Sequence, residues 1–226
     1  MKKMILSAAL VLASTAAMAQ SGTFQLKANL KNMGDTIIVY KGRGEKRDTI
    51  LVKKDKFTYS VTLNEPKQMM FAQPAIFRGG RAVAFELVGV PGETAELVGD
   101  LKTKFDIKGS NFYKQFAEVD AIKDEADKEL ADFEKSISEK MKNGGDREAL
   151  MKEYDEKAPA LTKAKEEKLL AFIGQHPDYE ASATLIGEMS SYENMQKAVD
   201  MLSAQVKNGR MKAYYEPIVE RAKKQA

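Results

Sequence analysis

Two short segments of the chain collect basic side chains and glycines in a way that could bind an anion. Arg43, Lys46 and Arg47 lie in one predicted loop, and Arg78 and Arg81 flank the Gly-Gly pair of another. If the two loops meet at one end of a domain, guanidinium groups and backbone N–H groups could hold a carboxylate or a phosphate. The alternative is that both are solvated hairpin tips, which soluble β proteins commonly show. The sequence leaves both interpretations open.

Residue types exclude most other chemistry. The chain has no cysteine, which removes thiolate nucleophiles, Cys-x-x-Cys redox chemistry and thiolate metal sites. It has one histidine, His176, followed by Pro177 in a predicted connector, where a polar turn residue is a simpler interpretation than a proton carrier. We therefore expect no catalytic residue, no metal site and no cofactor, and a protein that is not an enzyme.

Acidic residues are concentrated in one predicted helix, where paired carboxylates could in principle do acid–base work. That work needs burial to separate their pKa values. Lysines are interleaved with these carboxylates, so the sequence favours a solvated helix face. The residues concerned are Asp120, Asp124, Glu125, Asp127 and Glu129.

The first nineteen residues predict export. Lys2 and Lys3 precede a short apolar run, and Ala17-Met18-Ala19 has the small-x-small pattern of a signal-peptidase site. Cleavage is expected after Ala19, which predicts a periplasmic or secreted protein. No cysteine follows, so a lipoprotein is not expected. No apolar run reaches the roughly 20 residues that a transmembrane helix needs.

Charge gives little reason to expect a nucleic-acid partner. The formal net charge of +3 includes Lys2 and Lys3, so the exported chain would be close to neutral. Charged residues make up 31% of the chain with both signs nearly balanced, which fits long solvated helices. The oligomeric state cannot be read from these features.

The part from residue 20 to residue 109 is predicted to be an antiparallel β domain. Apolar residues there recur at every second position, as in Phe24, Leu26, Ala28 and Leu30, which places one face of each strand in a core. Turn residues separate the runs. A sandwich or a partly open barrel of about eight strands is expected, at roughly 24–30, 36–40, 48–53, 56–63, 68–72, 82–88, 94–98 and 104–108.

From residue 110 to residue 226 the apolar spacing changes to three and four, which predicts helices. Ser110 is a suitable N-cap for a first helix of about 32 residues, roughly 48 Å long. A second helix begins at Asp146 and reaches about Ile173, with a kink expected at Pro159. Because a seven-residue strand spans only about 23 Å, this hairpin must overhang the sheets. Shorter helices are expected at about 179–190, 194–207 and 211–224, completing an α+β fold.

The order of these pieces resembles the uncharacterised β-rich domain at the N-terminus of exported bacterial thiol-disulfide interchange proteins, with the charged helical region that follows it. The resemblance rests on structural motifs: Asp48–Val52, Asp55–Tyr59, Phe85–Val88, Pro91–Thr94, Val98–Asp100, Ile107–Ser110 and His176–Asp178. Lys56 departs from it, since the family commonly has glycine there. The thioredoxin-like domain that the family carries next has no counterpart in these residues, so no redox residue is implied.

Two functional interpretations follow. The resemblance implies a non-catalytic module that scaffolds or positions a partner, with a thioredoxin-like protein or domain as the expected partner. The alternative is an independent β-sandwich module that binds a small anionic ligand or a peptide through Arg43, Arg47, Arg78 and Arg81. A Cys-free chain with one histidine makes a self-standing hydrolase the weakest interpretation.

Overall fold

A computed structural model describes residues 21–80 and 82–226. The strands are β1 (Gly22–Lys31), β2 (Thr36–Tyr40), β3 (Asp48–Leu51), β4 (Lys56–Leu63), β5 (Lys67–Ala72), β6 (Ala84–Gly89), β7 (Thr94–Asp100) and β8 (Phe105–Gly109). The α-helices are α1 (Asn111–Lys142), α2 (Arg147–Gln175), α3 (Tyr192–Met201), α4 (Ala204–Lys207) and α5 (Lys212–Lys223). A first 3₁₀-helix is Pro74–Arg78 and a second is Glu180–Glu188. The predicted signal segment, residues 1–19, lies outside the described residues. Across the described ranges, no helix has both the length and the apolar character to cross a membrane.

The strands form an open sandwich, which confirms the predicted α+β class. Within the described residues there are two four-stranded sheets, ordered β4-β1-β7-β8 and β3-β2-β5-β6. Side chains alternate along each strand, so that one face of each sheet points into the core. Between the sheets, the ring centroid of Phe71 in β5 lies 5.6 Å from that of Tyr59 in β4. Within the second sheet, the Phe71 ring stacks on that of Phe85 in β6, with centroids 4.9 Å apart.

One strand pair differs from the all-antiparallel expectation. β1 pairs with β7 in parallel, while the other strand pairs among the described residues are antiparallel as predicted. After β1 the chain forms β2 and β3 of the second sheet and returns to the first sheet as β4, antiparallel to β1. It then forms β5 and β6 of the second sheet and comes back as β7 on the other side of β1, in the same direction as β1. Alternating burial is the same in parallel and antiparallel strands, so the spacing of apolar residues could not reveal this pair.

The first half of α1 and the C-terminal helices pack on the sandwich and share its core. Phe112 and Tyr113 are fully buried, and the Tyr113 ring centroid lies 6.0 Å from that of Phe24 in β1. The Tyr113 hydroxyl donates to the backbone carbonyl of Val88 at 2.6 Å. One hydrophobic cluster therefore runs from the strands through α1 to Val219 in α5.

Two of the three shorter C-terminal helices differ from their predicted form, whereas α5 matches the helix predicted at about 211–224. The segment expected as a helix at 179–190 is the second 3₁₀-helix, and the segment expected at 194–207 is divided into α3 and α4 at Leu202 and Ser203. α2 continues through Pro159 without a break and ends at Gln175.

The α1–α2 hairpin extends beyond this shared core. The cluster includes Ala126 of α1 and Leu169 of α2, but not the buried residues Ile137, Leu150 and Ala158 that lie between them. We call residues 128–164 the distal arm. At 1.5 Å per residue, the α1 part of the arm adds about 22 Å to the body of the protein. The predicted overhang is present.

Candidate functional site

The two loops that carry the predicted anion-binding arginines do meet. The guanidinium carbon of Arg47 lies 4.2 Å from the ring centroid of Phe77 in the first 3₁₀-helix, and the Phe77 and Tyr40 centroids are 6.5 Å apart. Arg78, next to Phe77, and Arg43 are exposed. Arg81 lies outside the described residues. The face of Arg47 is therefore used for cation–π stacking, which leaves its N–H edges free to donate.

The base of the same loop is fixed by a charged triad that the sequence did not indicate. The Lys41 ammonium and the Tyr59 hydroxyl both donate to Oδ2 of Asp48, at 2.8 and 2.6 Å. These two hydrogen bonds hold the pKa of Asp48 below its ordinary value. Burial and the hydrogen bond to Asp48 raise the pKa of Tyr59. The triad connects β3 to β4, and so joins the two sheets.

A second charged cluster joins the sandwich to the C-terminal helices, and we call it the Arg210 cluster. Arg210 Nη2 donates to Glu93 at 2.5 Å and to Glu180 at 2.6 Å, while Nη1 donates to the carbonyl of Pro91 at 3.2 Å. Nε donates to both oxygens of Glu180. Burial lowers the pKa of Arg210, but the hydrogen bonds to Glu180 and Glu93 outweigh it and the net pKa is raised. The guanidinium stays charged and closes a bidentate pair.

Ser110 belongs to the Arg210 cluster rather than to helix capping. It occupies the N-cap position of α1, but its side chain makes no hydrogen bond to the helix. Its hydroxyl instead donates to Glu93 and accepts from the N–H of Thr94 at 3.1 Å. These contacts hold the first residue before α1 against the turn before β7 and, through Glu93, connect both to the turn before α5.

A third charged cluster lies where the distal arm begins. The Lys165 ammonium lies 2.6 Å from Asp127 and 3.3 Å from Glu188, and Lys123 lies 2.6 Å from Glu188. Burial opposes ionisation of Glu188, but the two lysines outweigh it and hold its pKa below the ordinary value. α1, α2 and the second 3₁₀-helix therefore meet in a network of paired charges.

Glu166 is a buried carboxylate with a structural role. Only 3% of the residue is exposed, and its two oxygens accept from the N–H of Ser190 and from the side-chain amide of Asn194, the latter at 2.5 Å. These donors lie at the start of α3, where a helix favours negative charge. Glu166 therefore fixes α3 against α2.

His176 is a turn residue with aromatic neighbours. It caps the C-terminus of α2, and its ring centroid lies 4.4 Å from that of Phe172 and 4.6 Å from that of Tyr179. Its carbonyl accepts from the N–H of Tyr179. Within residues 21–80 and 82–226, no three acidic or histidine side chains converge in a way that could hold a metal ion.

The acidic residues of α1 divide into two sets. Asp124, Glu125 and Glu129 are exposed, as predicted. Asp120 and Asp127 are half-buried, because α1 packs there against β8 and α2.

Comparison of the chain with protein-family models, with curated proteins and with solved structures finds no match.

Proposed function

We propose that the protein is a non-catalytic, exported scaffolding module in which the sandwich holds the distal arm in a fixed direction to position a partner. The observation that carries the proposal is the double attachment of the helices. The Arg210 cluster connects them to the turn before β7, and Tyr113 connects them to Val88 in β6. A shared core without these polar contacts would leave more freedom for one layer to slide on the other.

Within the distal arm, side chains of α1 and α2 contact each other. The rings of Phe133 in α1 and Tyr154 in α2 stack with centroids 6.0 Å apart, and the Tyr154 hydroxyl donates to Glu134 at 3.1 Å. Lys140 of α1 lies 3.0 Å from Glu153 of α2. The two helices of the arm therefore support each other beyond the end of the shared core.

The partner is proposed from the resemblance and from the composition. In the exported thiol-disulfide interchange proteins that the chain resembles, a thioredoxin-like domain follows such a module. A thioredoxin-like protein or domain is therefore the expected partner class. The arm offers Met151, 42% exposed, among charged residues on α2. Export depends on residues 1–19 and is part of the proposal.

A photocrosslinking amino acid placed at Met151 tests the proposal in cells. We expect a crosslink to a thioredoxin-like envelope protein, and none from the same group placed at Leu51, a more exposed residue on the edge strand β3 (69% exposed). Crosslinks of equal yield from both positions, or none from Met151, contradict the proposal.

Rigidity is tested separately with spin labels, which the absence of cysteine makes simple. Labels at Asn143→Cys in the arm tip and Lys54→Cys in the β3–β4 turn should give one narrow distance distribution. The Arg210→Met substitution should broaden it. A broad distribution in the unsubstituted protein would show that the arm has no fixed direction.

A ligand-binding role is the second candidate, favoured by one observation: Arg47 of the first loop stacks on Phe77, next to Arg78 of the second loop, and Arg43, Arg47 and Arg78 are all exposed. We propose that this region binds a carboxylate or phosphate group. Titration with inorganic phosphate and with citrate should shift the backbone NMR signals of both loops. Arg47→Ala with Arg78→Ala should abolish the shifts, whereas Arg221→Ala on α5 should not. Shifts that survive the double substitution remove this candidate.

A further inference from the structure

The outer edge of β8 has backbone groups without partners. β8 is the last strand of its sheet, and the hydrogen bond from the Asp100 N–H to the Lys104 carbonyl fixes the phase of the β7–β8 ladder. Bonded and non-bonded pairs alternate in an antiparallel ladder. Phe105 and Ile107 therefore direct their N–H and C=O groups away from β7. None of the described residues hydrogen-bonds to these groups.

These backbone groups open into a groove rather than into open solvent. The groove has a volume of about 570 Å³ and lies between β8 and α1. Its α1 wall consists of Ala117, Asp120, Ala121 and Asp124, which the i, i+3, i+4, i+7 spacing places on one helix face. The two alanines leave space beside the strand. A volume in this range suits a short peptide segment rather than a single ion.

The α1 wall carries two carboxylates that no described residue pairs with directly. Asp120 and Asp124 are four residues apart, and neither forms a salt bridge with a described basic group. Lys104 and Lys108 also line the groove, and the charges of Lys123 and Lys104 act to lower the pKa of Asp120 without cancelling its rise. Lys123, between them in sequence, pairs with Glu188 at 2.6 Å instead. Burial and the neighbouring Asp124 raise the pKa of Asp120. A cation close to both carboxylates would favour their ionised form and so act against the rise in the pKa of Asp120.

We propose that the β8–α1 groove binds an extended segment of a partner protein as an added strand, paired with the backbone of Phe105 and Ile107 and carrying a lysine or arginine that faces Asp120 and Asp124. The backbone pairing supplies affinity and the carboxylates supply selectivity for a basic segment. The site is separate from the distal arm and does not depend on its proposed role.

A second copy of the chain fits the groove poorly. Two strands in one sheet lie about 4.8 Å apart, and the β8 of a second copy brings its own α1 along the same edge. Both helices would then compete for one space, with Asp120 and Asp124 of each copy close to those of the other. A free peptide segment has no such helix.

Two synthetic peptides test the proposal with the purified protein: acetyl-Thr-Val-Lys-Val-Lys-Val-Thr-amide and the same peptide with glutamate at both lysines. We expect the lysine peptide to bind at least about tenfold more tightly by calorimetry. It should also slow hydrogen exchange at the Phe105 and Ile107 amides. Asp120→Asn with Asp124→Asn should weaken binding by about tenfold, and Ala121→Leu should block it by filling the groove.

The matched control removes the same charge from exposed positions of α1, with Glu125→Gln and Asp132→Asn, and should leave binding unchanged. Equal binding of the two peptides, no binding at millimolar concentration, or protection of amides other than those of β8 overturns the proposal. A concentration-dependent dimer that protects the same two amides assigns the edge to a second copy and overturns it as well.

Discussion

Arg210, in the turn before α5, donates a 2.5 Å hydrogen bond to Glu93, in the turn before β7, across a separation of 117 residues in the sequence. Glu93 also accepts from Ser110 at the start of α1, and Arg210 also binds Glu180 in the second 3₁₀-helix. Four segments of the chain thus converge on one ion pair. This pair is the polar counterpart of the hydrophobic cluster that spans the same segments.

Replacing Arg210 should destabilise the protein more than replacing any exposed arginine. Arg210→Met leaves Glu93, which is largely buried, and Glu180 without their cation. Losing one partner of a fully buried pair costs about 3–5 kcal/mol, and since part of Arg210 is exposed we expect about 2 kcal/mol. The free energy of unfolding, from urea denaturation followed by circular dichroism, measures this loss.

Arg210→Lys and Arg221→Met are the controls for this prediction. Lysine keeps the charge but cannot donate to three acceptors in the plane of a guanidinium, so an intermediate loss is expected. Arg221 is exposed on α5, and its replacement should change stability by less than about 0.5 kcal/mol. Equal effects of Arg210→Met and Arg221→Met would show that the cluster contributes nothing specific.

Tyr113→Phe should isolate the second attachment point. The substitution keeps the ring against Phe24 but removes the hydroxyl that donates to the carbonyl of Val88 at 2.6 Å. Because the carbonyl is then buried without this donor, we expect a loss of about 1–2 kcal/mol. Tyr192→Phe, on the partly exposed start of α3, is the matched control and should change the midpoint of urea denaturation little. A Tyr113→Phe protein as stable as the original would mean that water replaces the hydroxyl.

The sandwich was predictable because its longer strands bury alternate residues. The alternation of Phe24, Leu26, Ala28 and Leu30 is the direct record of that burial. The long hairpin was predictable for the same reason, from a stripe at helical spacing. The second 3₁₀-helix was not: Ala181 to Ile186 are small or apolar at consecutive positions and mostly buried, so they carry no helical period.

The charged clusters could not be predicted from spacing. Arg210 and its partners Glu180 and Glu93 are 30 and 117 residues apart, and no local pattern marks them. The sequence predicted an anion-binding site only if the two arginine loops meet. The contact of Arg47 with Phe77 shows that they do. Anion binding there stays a prediction. The parallel pairing of β1 with β7 depends on the path of the whole chain.

An Asn-Gly pair should make the β3–β4 turn more stable than its present residues, Lys54 and Asp55, do. Lys54 and Asp55 have φ angles of 52° and 61°, and the turn is closed by paired hydrogen bonds between Lys53 and Lys56. Two positive φ angles are the requirement of a type I′ turn, which favours Asn-Gly. Lys54→Asn with Asp55→Gly should therefore stabilise the protein by about 0.5–1 kcal/mol. Thermal unfolding measures the gain.

Lys53→Gly is the control for the turn. Lys53 has an ordinary negative φ, so glycine there adds freedom to the unfolded chain without relieving strain, and stability should fall. A gain from Lys53→Gly, or a loss from the double substitution, would contradict the assigned turn geometry.

Asp48 and Asp120 should respond to pH with opposite signs. Hydrogen bonds from Lys41 and Tyr59 lower the pKa of Asp48 in the folded protein, so its ionised form adds stability that is present above the unfolded pKa of about 3.9. That stability is lost as the pH falls through the lower folded pKa. Asp48→Asn should destabilise the protein at pH 7, and the difference should shrink below about pH 3.9.

Asp120 gives the reverse result, because burial and the neighbouring Asp124 raise its pKa in the folded protein. The folded state then binds the proton more tightly than the unfolded chain, and ionisation at neutral pH costs stability. Asp120→Asn should stabilise the protein at pH 7 and lose this advantage once the pH is below about 3.9, where both states are protonated. Urea denaturation of both variants between pH 3 and pH 7 measures the two trends. If Asp120→Asn instead destabilises the protein at pH 7, a described lysine must neutralise the Asp120 carboxylate. The charge argument for a basic segment in the β8–α1 groove would then fail.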